Sequence, residues 1–183
     1  MRVITGSARG RKLKTLPGLD VRPTTDGVKE AIFSIVQFDV EDAVVLDLFA
    51  GSGQLGIEAL SRGAKKAVFV DNSMESIKTV RENLAHTRLE ENAVVVNMPN
   101  GAFLRSTGEV FDIAILDPPY NHNLIQKSMP ALVEKMSENG IIVCEHEKET
   151  KLPESYGEFK ISKIYRHGRT NLTVYRRERG EEE

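Results

Sequence analysis

Apolar and polar positions follow different patterns along the chain, and each pattern predicts a different element. Residues 2–5 and 11–15 are strand-like runs joined by a turn with glycine at both ends, which is typical of a β-hairpin. Apolar residues then recur at helical spacing over residues 28–36. A threonine just before this stretch, Thr24 or Thr25, is suited to cap the helix. The first 40 residues therefore predict a hairpin followed by a helix.

From residue 43 onward, short apolar runs alternate with amphipathic stretches, which predicts a parallel, doubly wound sheet covered by helices. The expected parallel strands are 44–46, 67–70, 93–96, 111–116 and 141–145. The expected helices follow Gly53, run from Ser73 to about Arg88, lie near 102–105 and cover 122–137, with a stop at Asn139-Gly140. Two last runs, 159–166 and 171–176, flank a glycine turn and predict an antiparallel hairpin. The predicted fold class is α/β, with seven strands.

Composition limits the classes of protein that this chain can be. The 183 residues are 40% hydrophobic and 28% charged, as expected for a soluble globular protein with a sizeable core. No apolar run approaches membrane-spanning length, and Met1-Arg2-Val3 does not open a signal peptide. The single cysteine, Cys144, excludes an internal disulfide and a cysteine zinc cluster. We therefore expect a cytoplasmic protein without a membrane partner or a metal.

Charge is distributed unevenly behind the formal net value of −2. Residues 1–19 carry five basic side chains and no acidic ones, and residues 160–177 carry six basic side chains and no acidic ones. Clusters of one sign are the usual footprint of a polyanionic partner such as a nucleic acid. The alternative is that both ends are solvated surfaces of an otherwise acidic protein.

The sequence Asp117-Pro118-Pro119-Tyr120 comes directly after the apolar run 111–116. Two prolines cannot continue a central strand, because neither offers an N–H to the ladder, and Pro118 also favours an extended Asp117. The result is a rigid corner that presents a carboxylate, backbone carbonyls and an aromatic ring. These groups can hold a planar base whose exocyclic amine reacts. The alternative is a proline-rich turn without a chemical role.

A glycine-rich turn is expected where the first strand of the sheet ends. Gly51, Gly53 and Gly56 fit the pattern G-x-G-x-x-G between a strand and a helix, where glycine lets the backbone approach a ligand closely. Asp71 ends the next strand, and a carboxylate at that place can accept hydrogen bonds from ribose hydroxyls. These features indicate a nucleotide-type cofactor, either a nicotinamide dinucleotide or S-adenosyl-L-methionine.

Asp47, just before the glycine turn, favours the second of these cofactors. Its carboxylate would repel a pyrophosphate placed at the start of the following helix. A cofactor with a cationic amino group and a sulfonium, and without phosphate, is compatible with that charge. The corner at Asp117 has no obvious use in hydride transfer, which points the same way.

Taken together, these motifs resemble the Rossmann-like S-adenosyl-L-methionine-dependent methyltransferases. Asp47 to Gly56 is similar to their cofactor motif, and Asp117 to Tyr120 is similar to the D/N-P-P-Y/F/W motif of enzymes that methylate amines and amides. The two ends narrow the resemblance. Residues 2–13 and 19–26, and the stretch 50–62, resemble the bacterial small-subunit ribosomal RNA guanine-N2 methyltransferase family. That family methylates N2 of one guanine in 16S rRNA.

The resemblance implies a domain division and a set of site residues. Residues 1–40 would form an RNA-binding extension and residues 41–183 the methyltransferase domain of a monomer. The implied catalytic residues are Asp117, Pro118, Pro119 and Tyr120. The implied cofactor contacts are Asp47, Phe49, Ala50, Gly51, Ser52, Gly53, Gly56, Asp71, Asn72, Asn100 and Thr24. The expected contacts to RNA are Arg2, Arg9, Arg11, Lys12 and Arg22.

One segment departs from the family pattern. The family often has an acidic or amide residue after the third strand, in contact with the adenine amine of the cofactor, and here the segment is Asn97-Met-Pro-Asn100. Asn100 fills that role, or the contact is made by backbone alone. Two other functions use some of the same features: an adenine-N6 DNA methyltransferase shares the proline corner, and a non-catalytic RNA-binding module would share the basic ends.

Overall fold

The computed structural model describes residues 1–18, 24–120 and 122–178, which form one α/β sheet structure with helices on both faces. The helices are α1 (Asp26–Ile35), α2 (Gln54–Ser61), α3 (Met74–Thr87), α4 (Asn100–Ser106) and α5 (Leu124–Leu132). The strands are β1 (Val44–Asp47), β2 (Lys66–Asp71), β3 (Ala93–Asn97), β4 (Phe111–Leu116), β5 (Met136–Glu147), β6 (Ser155–Tyr156), β7 (Phe159–His167) and β8 (Thr170–Arg177). The predicted α/β fold class is confirmed.

The strands lie in the order β3-β2-β1-β4-β5-β8-β7-β6. The first five run parallel, and β8, β7 and β6 continue the sheet as antiparallel strands. The chain leaves β1 towards β2 on one side and returns to β4 on the other side, so β1 and β4 are neighbours at a topological switch point. In open α/β sheets, ligands bind at the carboxyl ends of the strands at such a point.

Each face of the sheet is buried by its own hydrophobic cluster. Successive residues of a strand point to opposite faces, so Val45 belongs to one cluster and Leu46 to the other. The helices α1, α2 and α3 cover the first face, and α4 and α5 cover the second face. Burial on both sides explains why the central strands are apolar runs without polar alternation. Cys144 is fully buried in the second cluster, where desolvation raises the pKa of its thiol.

The end of α5 differs from the prediction of a helix over 122–137. The helix ends at Leu132 because Pro130 lies in its last turn, and Pro130 has no N–H for the helical ladder. A short 3-10 turn follows, and Met136 then pairs with Phe111 as the buried first residue of β5. The segment at Asn139-Gly140 is therefore strand and not a helix stop. The structure also adds β6, a two-residue strand that brings the sheet to eight strands within the described residues.

The N-terminal hairpin packs on the first face of the sheet. Its two arms meet in a bridge between Arg2 and Lys12, with further backbone bonds such as Val3 N to Arg11 O at 2.9 Å. Three apolar side chains of the hairpin are buried in the same cluster as α1 and α2; these are Val3, Ala8 and Leu13. The predicted hairpin is present, and it is continuous with the core of the sheet.

A buried carboxylate of α2 fastens this hairpin. Glu58 is fully buried, and its two oxygens accept hydrogen bonds from the backbone N–H groups of Ile4 (2.7 Å) and Thr5 (3.1 Å). The fully buried Lys29 of α1 lies 3.6 Å from Glu58, and its ammonium donates to the Arg2 carbonyl at 2.5 Å. Burial lowers the pKa of Lys29, and the charge of Glu58 opposes that shift. The hairpin is therefore held by a network of charged groups that is buried away from solvent.

Among the described residues, no helix has both the length and the apolar composition needed to cross a bilayer.

Replacing Glu58 with alanine tests how the hairpin is held. Removing one partner of a buried ion pair leaves the other charge uncompensated, which costs about 3–5 kcal/mol, and here two backbone donors also lose their acceptor. We expect a loss of that size in the free energy of unfolding, measured in urea, with faster amide exchange in residues 2–8.

Glu109→Ala is the matched control. Glu109 pairs with Lys66, and both side chains are about one third exposed, 33% and 34%. Solvent screens such a pair, so its loss costs at most about 1 kcal/mol. Equal losses in the two variants would contradict the account of the hairpin.

Candidate active site at the carboxyl ends of the strands

Three aspartates lie where three neighbouring parallel strands end. Asp47 is the last residue of β1, Asp71 is the last residue of β2, and Asp117 directly follows β4. Because β2, β1 and β4 are adjacent and parallel, their carboxyl ends meet at one edge of the sheet. Asp117 and Asp71 both act electrostatically on Asp47, so the three carboxylates belong to one site.

The glycine turn between β1 and α2 depends on the absence of side chains. Gly51 and Gly53 have φ angles of +55° and +84°, which are in the left-handed region that favours glycine. At Gly56 a Cβ atom would lie 2.3 Å from the ring of the buried Phe69, so only glycine allows α2 to pack this closely on β2. The turn therefore requires glycine where the G-x-G-x-x-G pattern has it, and the N–H groups of these glycines bond within the protein, Gly51 to Asp71, Gly53 to the Ala50 carbonyl and Gly56 to Asp47.

Asp71 joins the glycine turn to the second strand. One of its carboxylate oxygens accepts a hydrogen bond from Gly51 N at 3.0 Å, and the other accepts one from Ser73 N at 2.9 Å. Each carboxylate oxygen has a second lone pair, so the group can still accept hydrogen bonds from a ligand. The carboxylate thus has a structural role in addition to the ribose contact expected from the sequence.

Asp47 is a buried acid among acids. Its side chain is 1% exposed, and one oxygen accepts a hydrogen bond from Gly56 N at 3.0 Å. The pKa of Asp47 is raised to about 8, mainly by burial and also by the charges of Asp117 and Asp71, while the hydrogen bond from Gly56 opposes the shift. A positively charged ligand group near these carboxylates would be favourable, and an additional anion would not.

Thr24 links the segment before α1 to the proline corner. Its hydroxyl donates a short hydrogen bond to an Asp117 carboxylate oxygen, and Thr25 caps the helix by accepting from Val28 N at 3.2 Å. The choice that the sequence left open is thus resolved: Thr25 is the cap, and Thr24 holds Asp117. Gln54 donates to the Thr24 carbonyl at 3.4 Å, and in the described part of the chain its buried Oε1 has no hydrogen-bond partner.

Tyr120 stands beside a pocket of about 270 Å³. Its hydroxyl lies 3.5 Å from a carboxylate oxygen of Glu145 and 3.2 Å from the Thr170 hydroxyl. The corner lines the pocket with Pro118, Pro119 and Tyr120, and the end of β5 lines it with Glu145, His146 and Glu147. His122, two residues after Tyr120, also lines this pocket.

The remaining residues expected to contact the cofactor lie around the same edge, and they differ in which groups of the protein they contact. Ser52 is buried, and its carbonyl accepts a hydrogen bond from Asn83 at 2.9 Å. Phe49 packs against the second cluster, while Asn72 is exposed next to Asp71. Asn100 begins α4, where its amide nitrogen donates to Ser128 at 2.9 Å and its oxygen accepts from Gly101 N at 2.8 Å. Asn100 is therefore held by its own helix and by α5, and a cofactor contact from it remains a prediction.

The basic side chains of the N-terminal hairpin divide into two groups. Arg2 lies 3.5 Å from Asp26, and Arg11 donates to the His86 carbonyl at 3.3 Å. Arg9 and Lys12 are exposed, and among the described residues neither has an ion-pair partner. Arg22, also expected to contact RNA, lies outside the described residues.

Two residues whose side chains lie close to the Tyr120 hydroxyl, Glu145 and Thr170, were not predicted from the sequence. Glu145 carries a signal, because it is an acid at the carboxyl end of a predicted parallel strand, as Asp47 and Asp71 are. Thr170 carries none, because its place depends on the antiparallel register in which it pairs with Glu147.

Comparison with known proteins agrees with this geometry. The model of the family described as Conserved hypothetical protein 95 matches residues 1–176. The chain belongs to this family. The Bacillus subtilis protein YlbH is 40% identical over 97% of the chain and 99% of its own length. The Escherichia coli protein named Ribosomal RNA small subunit methyltransferase D is 34% identical over 97% of the chain and 90% of its own length.

A solved structure agrees with the fold described above. The Escherichia coli protein yhhF superposes with a TM-score of 0.83 at 34% identity, covering 97% of this chain and 98% of its own. The family resemblance inferred from the sequence is thereby confirmed, and so is the Rossmann-like methyltransferase fold.

The raised pKa of Asp47 predicts how stability depends on pH. Between about pH 5 and 7 the folded state keeps the Asp47 proton and the unfolded state has lost it, so this group lowers stability as pH rises. The contribution is about 1.4 kcal/mol per pH unit. In Asp47→Asn that contribution is absent, while the side-chain oxygen can still accept from Gly56. The variant should gain stability relative to the unmodified protein as pH rises, in urea unfolding at pH 5, 6 and 7. A constant difference across these pH values would mean that Asp47 is ionised in the folded protein.

Proposed function

We propose that this protein transfers a methyl group from S-adenosyl-L-methionine to the exocyclic N2 amine of a guanine in 16S rRNA of the small ribosomal subunit. The observation that carries the proposal is the juxtaposition of two features at one edge of the sheet. The glycine turn with Asp47 and Asp71 lies on one side, and the Asp117-Pro118-Pro119-Tyr120 corner lies on the other. The relative named as a small-subunit rRNA methyltransferase supports the choice of substrate.

The residues at the glycine turn fit S-adenosyl-L-methionine. Asp71 would accept hydrogen bonds from the ribose hydroxyls through its remaining lone pairs, and the lack of a side chain at Gly51 would let the ligand approach the backbone closely. The Asp71 and Asp117 carboxylates give this region negative charge suited to the cationic methionine end, and that cation would in turn favour ionisation of the buried Asp47. A dinucleotide would bring a pyrophosphate to the same place, where these charges would oppose it. When bound, S-adenosyl-L-methionine supplies an electrophilic methyl group.

The proline corner would activate the amine by position. A guanine amine is a weak nucleophile because its lone pair is delocalised into the ring. The Asp117 carboxylate and the Pro118 carbonyl can each accept one amine hydrogen, which turns the lone pair towards the methyl group. Transfer would join the nitrogen to the methyl group as its bond to the cofactor sulfur is broken, and the amine would release one proton, which the Asp117 carboxylate that accepts its hydrogen bond can take. Such catalysis relies on positioning and preorganised polar groups.

Thr24 would keep the Asp117 carboxylate in the correct orientation. Its hydroxyl donates to one Asp117 oxygen, and each carboxylate oxygen has two lone pairs, so the group can accept from a substrate amine as well. The target base must leave its stack to reach this corner, and we expect the ring of Tyr120, which lines the pocket, to pack on its face.

Contacts from the N-terminal hairpin would position the RNA. Phosphate contacts fix the register of a bound nucleic acid without reading its sequence. Arg9 and Lys12 are the best candidates, because their charges are exposed and not compensated by a described acid. Arg2 and Arg11 would first have to give up part of their present contacts.

Methyl transfer from labelled S-adenosyl-L-methionine to small ribosomal subunits tests the proposal. The subunits are purified from cells that lack the gene for this protein, and the labelled RNA is digested to nucleosides. We expect N2-methylguanosine. N6-methyladenosine would show that the substrate is an adenine amine, and label on protein would show that it is an amide. Cofactor binding without label on RNA or protein would contradict transfer to the ribosome.

Asp117→Ala tests the role of the corner in the same assay. We expect the rate of transfer to fall about 100-fold or more, because a preorganised acceptor is lost, while the Kd for the cofactor changes little. Asp39→Ala is the control, since Asp39 is exposed and lies before the amino end of β1, opposite to the site. Loss of cofactor binding together with activity would place Asp117 in the cofactor site and not at the amine.

A further inference from the structure

The C-terminal hairpin carries a second cluster of basic residues, and its turn lies beside the pocket. The turn joins β7 and β8 through residues 167–170. Thr170, at the start of β8, is 3.2 Å from the Tyr120 hydroxyl and pairs with Glu147, which lines the pocket. His167, at the end of β7, lies against Gly27 in α1, where a Cβ atom would be 3.1 Å from its ring. The turn thus contacts Tyr120 of the proline corner, and it also contacts α1, which begins shortly after Thr24, the residue that bonds Asp117.

The basic side chains of this hairpin differ in whether an acidic side chain pairs with them. Far from the pocket, Lys160 pairs with Glu178 at 2.6 Å, and Arg177 pairs with Glu158. Near the pocket, Arg166 and Arg169 are exposed, and neither makes an ion pair within the described part of the chain. Lys163 and Arg176 also make no ion pair among the described residues, so the turn carries two of the four uncompensated basic side chains of this hairpin.

The pocket itself is unfavourable for a polyanion. Glu145 and Glu147 line it, and Asp117 belongs to the adjoining corner. An RNA strand that delivers a base into this pocket brings phosphates on both sides of that base to its rim. Like charges there would oppose binding unless cations lie at the same rim. Arg166 and Arg169 occupy a place where they can supply these cations.

We infer that the β7–β8 turn, with Arg166 and Arg169, is a second RNA-binding surface that grips the phosphates next to the target nucleotide. This inference rests on the proposed function, because it assumes that the base enters beside Tyr120. The bond from Thr170 to Tyr120 fixes the turn relative to the aromatic ring, so the phosphate contacts and the base contact keep a constant separation. The N-terminal hairpin would bind RNA independently of this surface.

The test compares two double variants of the same hairpin. Arg166→Gln with Arg169→Gln removes two charges at the turn, and Lys160→Gln with Arg176→Gln removes two charges at the far end, where these residues pair across the strands. Lys160 and Arg166 are six residues apart on β7, which is roughly 20 Å along a strand. That separation exceeds the screening length of about 8 Å at physiological salt, so the control is electrostatically separate.

Binding of small ribosomal subunits from cells that lack the gene is measured as a function of salt. Each phosphate contact contributes about 0.7–0.9 to the slope of log K against log salt, so the turn variant should lose about 1.5 and bind about tenfold more weakly. The control should keep the slope of the unmodified protein, and both variants should keep its Kd for S-adenosyl-L-methionine. An unchanged slope in the turn variant, or an equal loss in the control, overturns the inference.

The outcomes separate this inference from the proposed function. If the unmodified protein produces N2-methylguanosine while the turn variant binds with an unchanged slope, the surface is wrong and the function stands. If no methylated nucleoside forms but the turn variant alone loses salt-dependent binding, the surface stands and the proposed reaction is wrong.

Discussion

The structure depends on the adjacency of three parallel strands, β2, β1 and β4, whose carboxyl ends meet at one edge. This order brings three carboxylates together, and burial leaves the central one, Asp47, with a strongly raised pKa. Repulsion between these groups is compensated locally by backbone donors, with Gly56 bonded to Asp47 and Gly51 bonded to Asp71. The glycine turn is therefore needed twice: it provides these donors, and it leaves space beside them for a ligand.

Elements with strong local signals were predictable from the sequence. The central strands are apolar runs because both faces of the sheet are covered, and the glycine turn and the proline corner mark strand ends directly. The helix over 122–137 was predicted too long, because Pro130 and the pairing of Met136 with Phe111 end it earlier. Contacts that depend on distant register, such as Thr170 with Tyr120, have no local signal.

Two hairpins add to this central sheet in different ways. The N-terminal hairpin is fastened by the buried Glu58 and shares the hydrophobic cluster of α1 and α2, so the backbone that carries the exposed Arg9 and Lys12 is anchored to the core. The C-terminal hairpin extends the sheet beyond β5 and brings its turn to the pocket beside Tyr120. We propose that the first hairpin positions the RNA and that the second acts beside the reacting base.

The central claim is that one edge of the sheet holds the cofactor against the proline corner. A crystal structure with S-adenosyl-L-homocysteine tests it most directly. We expect ribose hydroxyls within hydrogen-bonding distance of Asp71, the amino group near Asp47, and the sulfur facing the Asp117 carboxylate across a gap that a target amine can enter. A ligand bound elsewhere, or a sulfur turned away from Asp117, would contradict the account.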